Sequence, residues 1–193
     1  MDSTLAVVNV DQPVALVWLG HMPVVNWILA QLAEVRSLQH TVVLTVPELA
    51  EPLRQYVRQY PVLSRPASLP AADLEAYLWS ASGPAAEADI VLLVQATNPF
   101  VQSATMELCL REARTTASSV LLGRPCRVVN AAARPQPAFE ALPQVRALRR
   151  PQPAPVHSPP AKLVPVGTIE SLSVADPEQL CLAQALVSSG IAT

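Results

Sequence analysis

Hydroxyl and amide side chains that could bind a small polar ligand follow two apolar runs of the sequence. Thr45 lies near the end of the first run, and Gln95 ends the second run and is followed by Thr97 and Asn98. Short apolar runs of this kind are typical of strands that are buried on both faces of a sheet. Because ligands of mostly parallel sheets bind beyond the carboxyl ends of the strands, these four residues are candidates for a ligand site.

Arginine supplies nearly all the positive charge of the chain. The sequence has 12 arginines and a single lysine, Lys162. Arg146, Arg149 and Arg150 lie close together, and a guanidinium group can bind phosphate bidentately. These three residues could therefore contact a phosphate, although such a cluster more often forms a solvated surface.

Other common catalytic motifs are missing from the sequence. There is no G-x-S-x-G nucleophile motif, no P-loop and no Cys/His spacing of a zinc site, and the three histidines share no motif. Cys109, Cys126 and Cys181 are far apart, so we expect reduced and buried thiols. We expect neither a bound cofactor nor a metal site.

Alternating strands and helices position the candidate residues. Strands are predicted at 5–10, 41–46, 89–95 and 119–122, and helices at 47–60, 71–80, 104–114 and from Pro23 onward. This order, with its short connections, predicts an α/β fold of three layers. Its centre is a mostly parallel twisted sheet with helices on both faces.

A last helix has clear signals at both of its ends. Asp176 is a good N-cap, Pro177 suits the first helical position, and Gln179 has the spacing of a capping box. Gly190 is a suitable C-cap residue. We therefore expect a helix that begins at Pro177.

The segment 134–165 differs in composition from the rest of the chain. Eight prolines lie between Arg134 and Pro160. Proline removes a backbone donor and fixes φ, so this segment is predicted to be an extended, proline-rich arm or loop. The length fits one domain over 1–193.

Composition limits the range of partners. Hydrophobic residues make up 51% of the chain, which is enough for a core, and the formal net charge is −2. Without a broad basic field, neither a nucleic acid nor an anionic membrane is expected as a partner. The first residues lack the positive charge of a secretory signal, and no apolar run approaches the ~20 residues of a membrane span. We expect a cytoplasmic protein.

Three segments share residues with one known family. Residues 89–100, DIVLLVQATNPF, are similar to a strand that ends in Gln-Pro-Thr-Ser-Pro-Leu-Arg. Residues 171–187, SLSVADPEQLCLAQALV, are similar to an Asp-Ile-Asp-Thr-Pro-Glu-Asp-Leu pattern and its Ala-rich helix. Residues 19–28, LGHMPVVNWI, are similar to Leu-x-Gly-Lys-Pro-Leu-Ile-x-x-Thr. In order and spacing, these segments resemble the cytidylyltransferase branch of the nucleotide-diphospho-sugar transferases, in particular the enzymes that make CMP-activated acylneuraminate and similar acids.

The resemblance implies a fold, a ligand and a set of contacts. The fold is nucleotide-diphospho-sugar transferase-like, the ligands are CTP or CMP and a sugar acid, and a homodimer forms through a protruding arm. Arg65, followed by Pro66, falls where the family has an Arg-Pro pair near the nucleotide. His21 lies beside the position of the family's lysine and could contact phosphate. The implied nucleotide- or sugar-binding residues are His21, Thr45, Arg65, Gln95, Thr97 and Asn98.

The sequence departs from the family where triphosphate and metal are held. The segment after Val10 has neither glycine nor a cationic residue, and Met22 replaces the family's lysine. The paired aspartates that help to hold Mg²⁺ correspond to Ser173 and Ala175. These changes favour a non-catalytic relative that binds a nucleotide, a sugar or a protein.

Two alternatives stay open. One is an active CTP-dependent cytidylyltransferase with an atypical phosphate grip, which alone would require Mg²⁺. The other is an interaction protein on this fold with no role for a nucleotide.

Overall fold

The computed structural model describes residues 2–116, 119–129, 135–151 and 161–191. Its strands are β1 (Thr4–Val10), β2 (Trp18–Leu19), β3 (Met22–Pro23), β4 (His40–Thr45), β5 (Val62–Ser64), β6 (Ile90–Gln95), β7 (Val120–Val129), β8 (Pro135–Arg149) and β9 (Lys162–Pro165). Its α-helices are α1 (Val24–Ala33), α2 (Pro47–Tyr56), α3 (Leu74–Trp79), α4 (Ser103–Thr115) and α5 (Pro177–Ser188).

Seven strands form one mixed sheet in the order β5-β4-β1-β6-β8-β7-β9. The pairs β5–β4, β4–β1, β1–β6 and β7–β9 are parallel, and β8 runs antiparallel to both of its neighbours. The register places Val10 beside Thr45, and Asn9 beside Gln95. The carboxyl ends of β1, β4 and β6 therefore meet at one edge, and the prediction of a mostly parallel sheet is confirmed.

Side chains of the central strands alternate between two apolar layers. Residues of one parity pack with α1, α2 and α4 on one face of the sheet. Residues of the other parity pack against α3, and this layer is called the α3 face: Leu5, Val7, Leu44, Val91, Leu93 and Leu148, with Leu74 and Leu78 of α3. Because strand side chains alternate with a period of two, helices cover both faces as predicted.

The predicted proline-rich arm is in large part a strand. Within 134–165, Pro135–Arg149 forms β8, and its last five residues pair with β6 in the middle of the sheet. The backbone is extended, as expected, but 145–149 is a central strand and not a loop. The register of β7 and β8 shifts between Leu121 and Leu122, so Pro143 falls in a bulge, where proline removes no ladder hydrogen bond. The part of this prediction that concerns residues 152–160 lies outside the described residues.

The terminal helix begins and ends as predicted. The Asp176 carboxylate accepts a hydrogen bond from the Gln179 backbone N–H at 2.9 Å, and Gly190 has a φ of 71°. On its inner face, Ala183 is buried beside Leu19 and Trp27, whose indole N–H donates to the Leu19 carbonyl. Helix α5 thus packs against the segment that precedes α1 and holds it in place.

Two local predictions are corrected. The helix predicted over 47–60 ends at Tyr56, and the segment after it leads into β5, a strand that the periodicity did not predict. The cysteines do not share one environment: Cys109 is buried, whereas Cys181 is exposed. Burial raises the pKa of the Cys109 thiol to about 12, so that thiol stays protonated at neutral pH.

In the described part of the chain, every helix is too short or too polar to span a bilayer.

Candidate functional site

A polar cleft opens at the carboxyl ends of β1, β6 and the middle of β8. Its volume is about 210 Å³. Its lining consists of six polar residues and two apolar ones from the segment that leads into α3: Asn9, Asp11, Arg65, Gln95, Gln144 and Arg146, with Ala71 and Leu74.

The cleft arises because three strands change from apolar to polar on the same face. On the α3 face, β1 presents Leu5 and Val7 and then Asn9, and β6 presents Val91 and Leu93 and then Gln95. Strand β8 presents Leu148 and then Arg146. The short helix α3 covers the apolar part of this face and leaves the polar part open at the edge.

Asn9 is the most deeply buried polar residue of the cleft, at 2% exposure. Its amide nitrogen donates to the side-chain oxygen of Gln95 at 2.9 Å and, more weakly, to Asp11 at 3.4 Å. Its own side-chain oxygen is buried without a hydrogen-bond partner. The contact with Gln95 therefore holds the Asn9 amide in place, with an acceptor that no protein group uses.

Arg65 lies next to the end of β5 and is nearly buried. Its backbone N–H donates to the Thr45 carbonyl, and one terminal guanidinium nitrogen donates to the Leu69 carbonyl, each at 2.8 Å. Its Nε is buried without a partner. The side chain is thus anchored at its tip while one donor is unused.

Arg146 and Gln144 close the cleft from β8. The Arg146 guanidinium forms an ion pair with Glu75 of α3. The Nε of Arg146 and the side-chain oxygen of Gln144 are both buried without partners. A buried polar atom without a hydrogen bond costs about 1–3 kcal/mol, so a ligand that satisfied these atoms would recover free energy.

Four of the buried unpartnered atoms in the described part of the chain belong to cleft residues. Two are donors, on Arg65 and Arg146, and two are acceptors, on Asn9 and Gln144. Small-molecule sites usually range over about 300–1,000 Å³, so this cleft fits a ring and its polar substituents better than a whole nucleoside triphosphate. The arrangement can bind an uncharged ring with both donors and acceptors at its edge.

Two of the residues predicted to bind a ligand, Arg65 and Gln95, line the cleft. Thr45 faces the other side of the sheet, and its hydroxyl donates to the Val10 carbonyl at 2.8 Å. The Thr97 carbonyl accepts from the Val174 N–H, and the Asn98 amide donates to the Glu170 carbonyl. These contacts hold the segment before α5 against the end of β6.

His21 lies in the turn between β2 and β3, where its ring is 5.4 Å from that of Trp27. Arg146, Arg149 and Arg150 do not form one cluster either. Arg149 approaches Asp2, and Arg150 donates to the carbonyls of Ala86 and Ala88. These two arginines lie toward the amino end of β6, so Arg146 alone reaches the cleft.

The segment that follows β1 is short of positive charge. The segment after β1 continues from Asp11 into a 3-10 helix, Pro13–Leu16, which carries no cationic residue. Ser173 and Ala175 supply no carboxylate, and among the described residues no group of three His, Cys, Asp or Glu side chains could hold a metal ion. Mg²⁺ requires hard oxygen ligands, and Asp11 is the only carboxylate among the described residues that line the cleft.

Asn9 and Gln144 were not predicted from the sequence. Asn9 follows the apolar residues Leu5 and Val7 on the same strand face, and that change from apolar to polar is the signal that could have found it. Gln144 lies in a strand that the sequence did not predict, so it had no comparable signal. Arg146 was considered only as one of three adjacent arginines. Its separation from Arg149 follows from the strand geometry, which spaces these residues about 10 Å apart along β8.

The strand order and the antiparallel β8 give a mixed α/β fold of the nucleotide-diphospho-sugar transferase-like type. Solved cytidylyltransferase structures share this fold. No family model matches the sequence, and neither does any curated protein sequence.

Several solved structures are similar to this chain in fold. A 4-diphosphocytidyl-2C-methyl-D-erythritol synthase from Anaerococcus prevotii DSM 20548 aligns with a TM-score of 0.69 at 10% identity, over 97% of this chain and 99% of that one. A second synthase of the same description aligns at 0.70 and 16% identity, over 97% and 100%. A CMP:2-keto-3-deoxy-manno-octonic acid synthetase complexed with CTP aligns at 0.71 and 14% identity, over 97% and 99%.

Proposed function

We propose that this protein binds the base and sugar of a cytidine nucleotide, or a related sugar acid, in the cleft and does not transfer a cytidylyl group. The observation that carries the proposal is that four buried polar atoms without a hydrogen-bond partner belong to Asn9, Arg65, Gln144 and Arg146, which all line one cleft. Native proteins pair nearly all such atoms. Their concentration at the carboxyl edge of the sheet, where ligands of α/β folds bind, supports a ligand as the missing partner.

The chemistry of the cleft supports a pyrimidine nucleoside. Cytosine presents two acceptors and an amino donor along one edge, and ribose presents hydroxyl groups that both donate and accept. The free Nε of Arg65 can donate to a ring acceptor, while the Asn9 oxygen can accept from an amino group. Asp11, which is exposed at the rim, suits a ribose hydroxyl.

The segment that follows β1 argues against cytidylyl transfer. Cytidylyl transfer needs the triphosphate held and its charge neutralised in the transition state. The segment 11–19 has neither a cation nor a glycine for a phosphate-binding loop. Without these groups, the lost stabilisation of the transition state amounts to several kcal/mol, on the order of 10³-fold or more in rate.

Calorimetric titration with CMP and with CTP, each with and without Mg²⁺, tests this function. We expect CMP and CTP to bind equally, with no effect of Mg²⁺. The variant Gln144→Leu should weaken binding about tenfold through loss of one hydrogen bond. Gln184→Leu, an exposed change on α5, is the matched control and should leave binding intact.

Two outcomes would contradict the proposal. If neither nucleotide binds, a role in binding nucleotides is excluded, and an interaction protein on this fold becomes the better explanation. If CTP binds more tightly than CMP and Mg²⁺ strengthens it, a phosphate and metal site exists. An active cytidylyltransferase that uses Arg146 as its phosphate contact would then be favoured, since Arg146 is the β8 arginine that lines the cleft.

Assembly is a separate part of the proposal. The paired strands of β7 and β8 continue beyond the bulge, where Phe139 is 47% exposed. We propose that two copies of the chain pair through this extension of β7 and β8 to form a homodimer. We also propose that the protein is cytoplasmic. Light scattering checks the oligomeric state, and a monomer at all concentrations would exclude the dimer.

A further inference from the structure

The charges around the cleft balance. Arg65 and Arg146 contribute two positive charges, and Asp11 at the rim and Glu75 on α3 contribute two negative ones. A cleft that bound a phosphate would be expected to keep a net positive charge, since phosphate sites are built from cations and backbone N–H groups.

Arg146 is placed by the sheet and not by a flexible loop. It lies near the carboxyl end of β8, between Leu93 of β6 and Leu121 of β7 in the register. Its side chain is 22% exposed, so its charge is largely removed from water. A cation in such a position needs a partner of opposite charge.

Glu75 supplies that partner from a fixed position. It follows Leu74 in the first turn of α3, and both Leu74 and Leu78 are buried on the α3 face. Burial of the helix therefore holds the Glu75 carboxylate against the Arg146 guanidinium. The Glu75 side chain is itself 45% exposed, so the ion pair lies between the buried α3 face and solvent.

We propose that Glu75 determines the specificity of the cleft by neutralising Arg146, so that the cleft recognises the uncharged part of its ligand and is indifferent to phosphate. This inference rests on the proposed function, which it narrows: the ligand class is the nucleoside or a neutral sugar ring, and a phosphate attached to it adds no affinity. A phosphate that approached Arg146 would meet the Glu75 carboxylate and would have to displace it.

The test compares cytidine with CMP in calorimetric titrations of the wild type, of Glu75→Gln and of Glu75→Gln/Arg146→Gln. In the wild type, cytidine and CMP should bind with equal affinity. In Glu75→Gln, where Arg146 is released, CMP should bind about tenfold more tightly than cytidine, as expected for one hydrogen bond to a charged group. The double variant should lose that preference.

A matched control is available on the opposite face of the sheet. Glu112 of α4 forms an ion pair with Lys162 of β9 at 2.6 Å. Glu112→Gln removes an ion pair between a helix and a strand in the same way, but it should leave the ratio of CMP to cytidine affinity at one. Circular dichroism of each variant establishes that it is folded before titration.

Inorganic phosphate separates failure of this inference from failure of the proposed function. Phosphorus NMR should show phosphate binding to Glu75→Gln and none to the wild type. If cytidine and CMP bind no variant but phosphate binds Glu75→Gln, the proposed function fails and the role of Glu75 stands. If the wild type already prefers CMP tenfold, or if Glu75→Gln leaves the affinity ratio unchanged, the inference is overturned.

Discussion

The polar side chains at the two ends of the sheet differ in how well they are satisfied. At the amino ends of β1 and β6, the Ser3 N–H and hydroxyl both donate to Asp89, and the Thr4 hydroxyl donates to the Ser37 carbonyl. Among the described residues, the only unpartnered buried atom close to these contacts is Ser37 Oγ. At the carboxyl ends, four unpartnered atoms belong to residues that line a single cleft.

This difference indicates that polar groups at the amino end of the sheet stabilise the fold, whereas those at the carboxyl end bind a ligand. Polar groups that serve the fold are expected to be paired, because each unpaired buried group costs free energy. Polar groups that bind a ligand must instead keep a hydrogen-bond donor or acceptor without a protein partner, so that it can bond to the ligand. Substitutions at the two ends should therefore have opposite effects on stability.

The largest effect is expected at the amino end, with Thr4→Val. Thr4 is 2% exposed, and its hydroxyl donates to the Ser37 carbonyl at 2.5 Å. The substitution keeps the shape but leaves that carbonyl without this donor, so the free energy of unfolding should fall by about 1.5 kcal/mol. Urea unfolding should show a lower midpoint with an unchanged slope. A variant as stable as the wild type would show that the Thr4 hydroxyl does not stabilise the fold, which would contradict the proposed difference between the two ends of the sheet.

A smaller effect of opposite sign is expected at the carboxyl end, with Asn9→Leu. The change extends the apolar stripe of Leu5 and Val7 and removes a buried oxygen that has no partner. The lost contact with Gln95 offsets part of the gain, so the free energy of unfolding should rise by only about 1 kcal/mol. Nucleotide binding should be lost in the same protein. A clear loss of stability would mean that Asn9 serves the fold and not a ligand.

The smallest effect is expected for Asp89→Asn, and it depends on pH. The Ser3 N–H lowers the pKa of the Asp89 carboxyl, with further contributions from the Ser3 hydroxyl and the charges of Arg150 and Arg149. A carboxylate with a lowered pKa stabilises the fold fully above its ordinary value of 3.8, and this stabilisation is lost as the pH falls through the lowered pKa. Wild type and variant should therefore differ in thermal unfolding at pH 7 and converge in acid. A difference that persisted in acid would contradict this assignment.

The regular part of the fold could be predicted because local pattern and tertiary structure agree there. Apolar runs such as 90–95 have the length of a buried strand and are too short for a typical helix, and the signals at Asp176 and Gly190 act within a few residues of the helix ends. Strand β8 could not be predicted in this way. Its prolines argue against a strand, and the bulge that accommodates Pro143 exists only in the pairing with β7.

The site was harder to predict than the fold. Arg65 and Gln95 were found through the resemblance and the rule for carboxyl ends, and both line the cleft. Thr45 satisfies the same rule but points to the other face, which only the register decides. Gln144 and Arg146 reach the cleft from β8, so their part in it depends on a strand that local sequence does not reveal.

The central position of β8 also has a consequence for how the chain folds. Strand β6 is paired with β1 on one side, and on the other it pairs with residues 145–149, which are synthesised some 50 residues later. Until those residues emerge from the ribosome, one edge of an apolar strand has no partner within the chain. Open edges of this kind recruit strands from other chains. The nascent protein is therefore most prone to aggregation after α4 has formed and before β8 is complete, and a fragment that ends at residue 116 should be insoluble although it contains most of the helices.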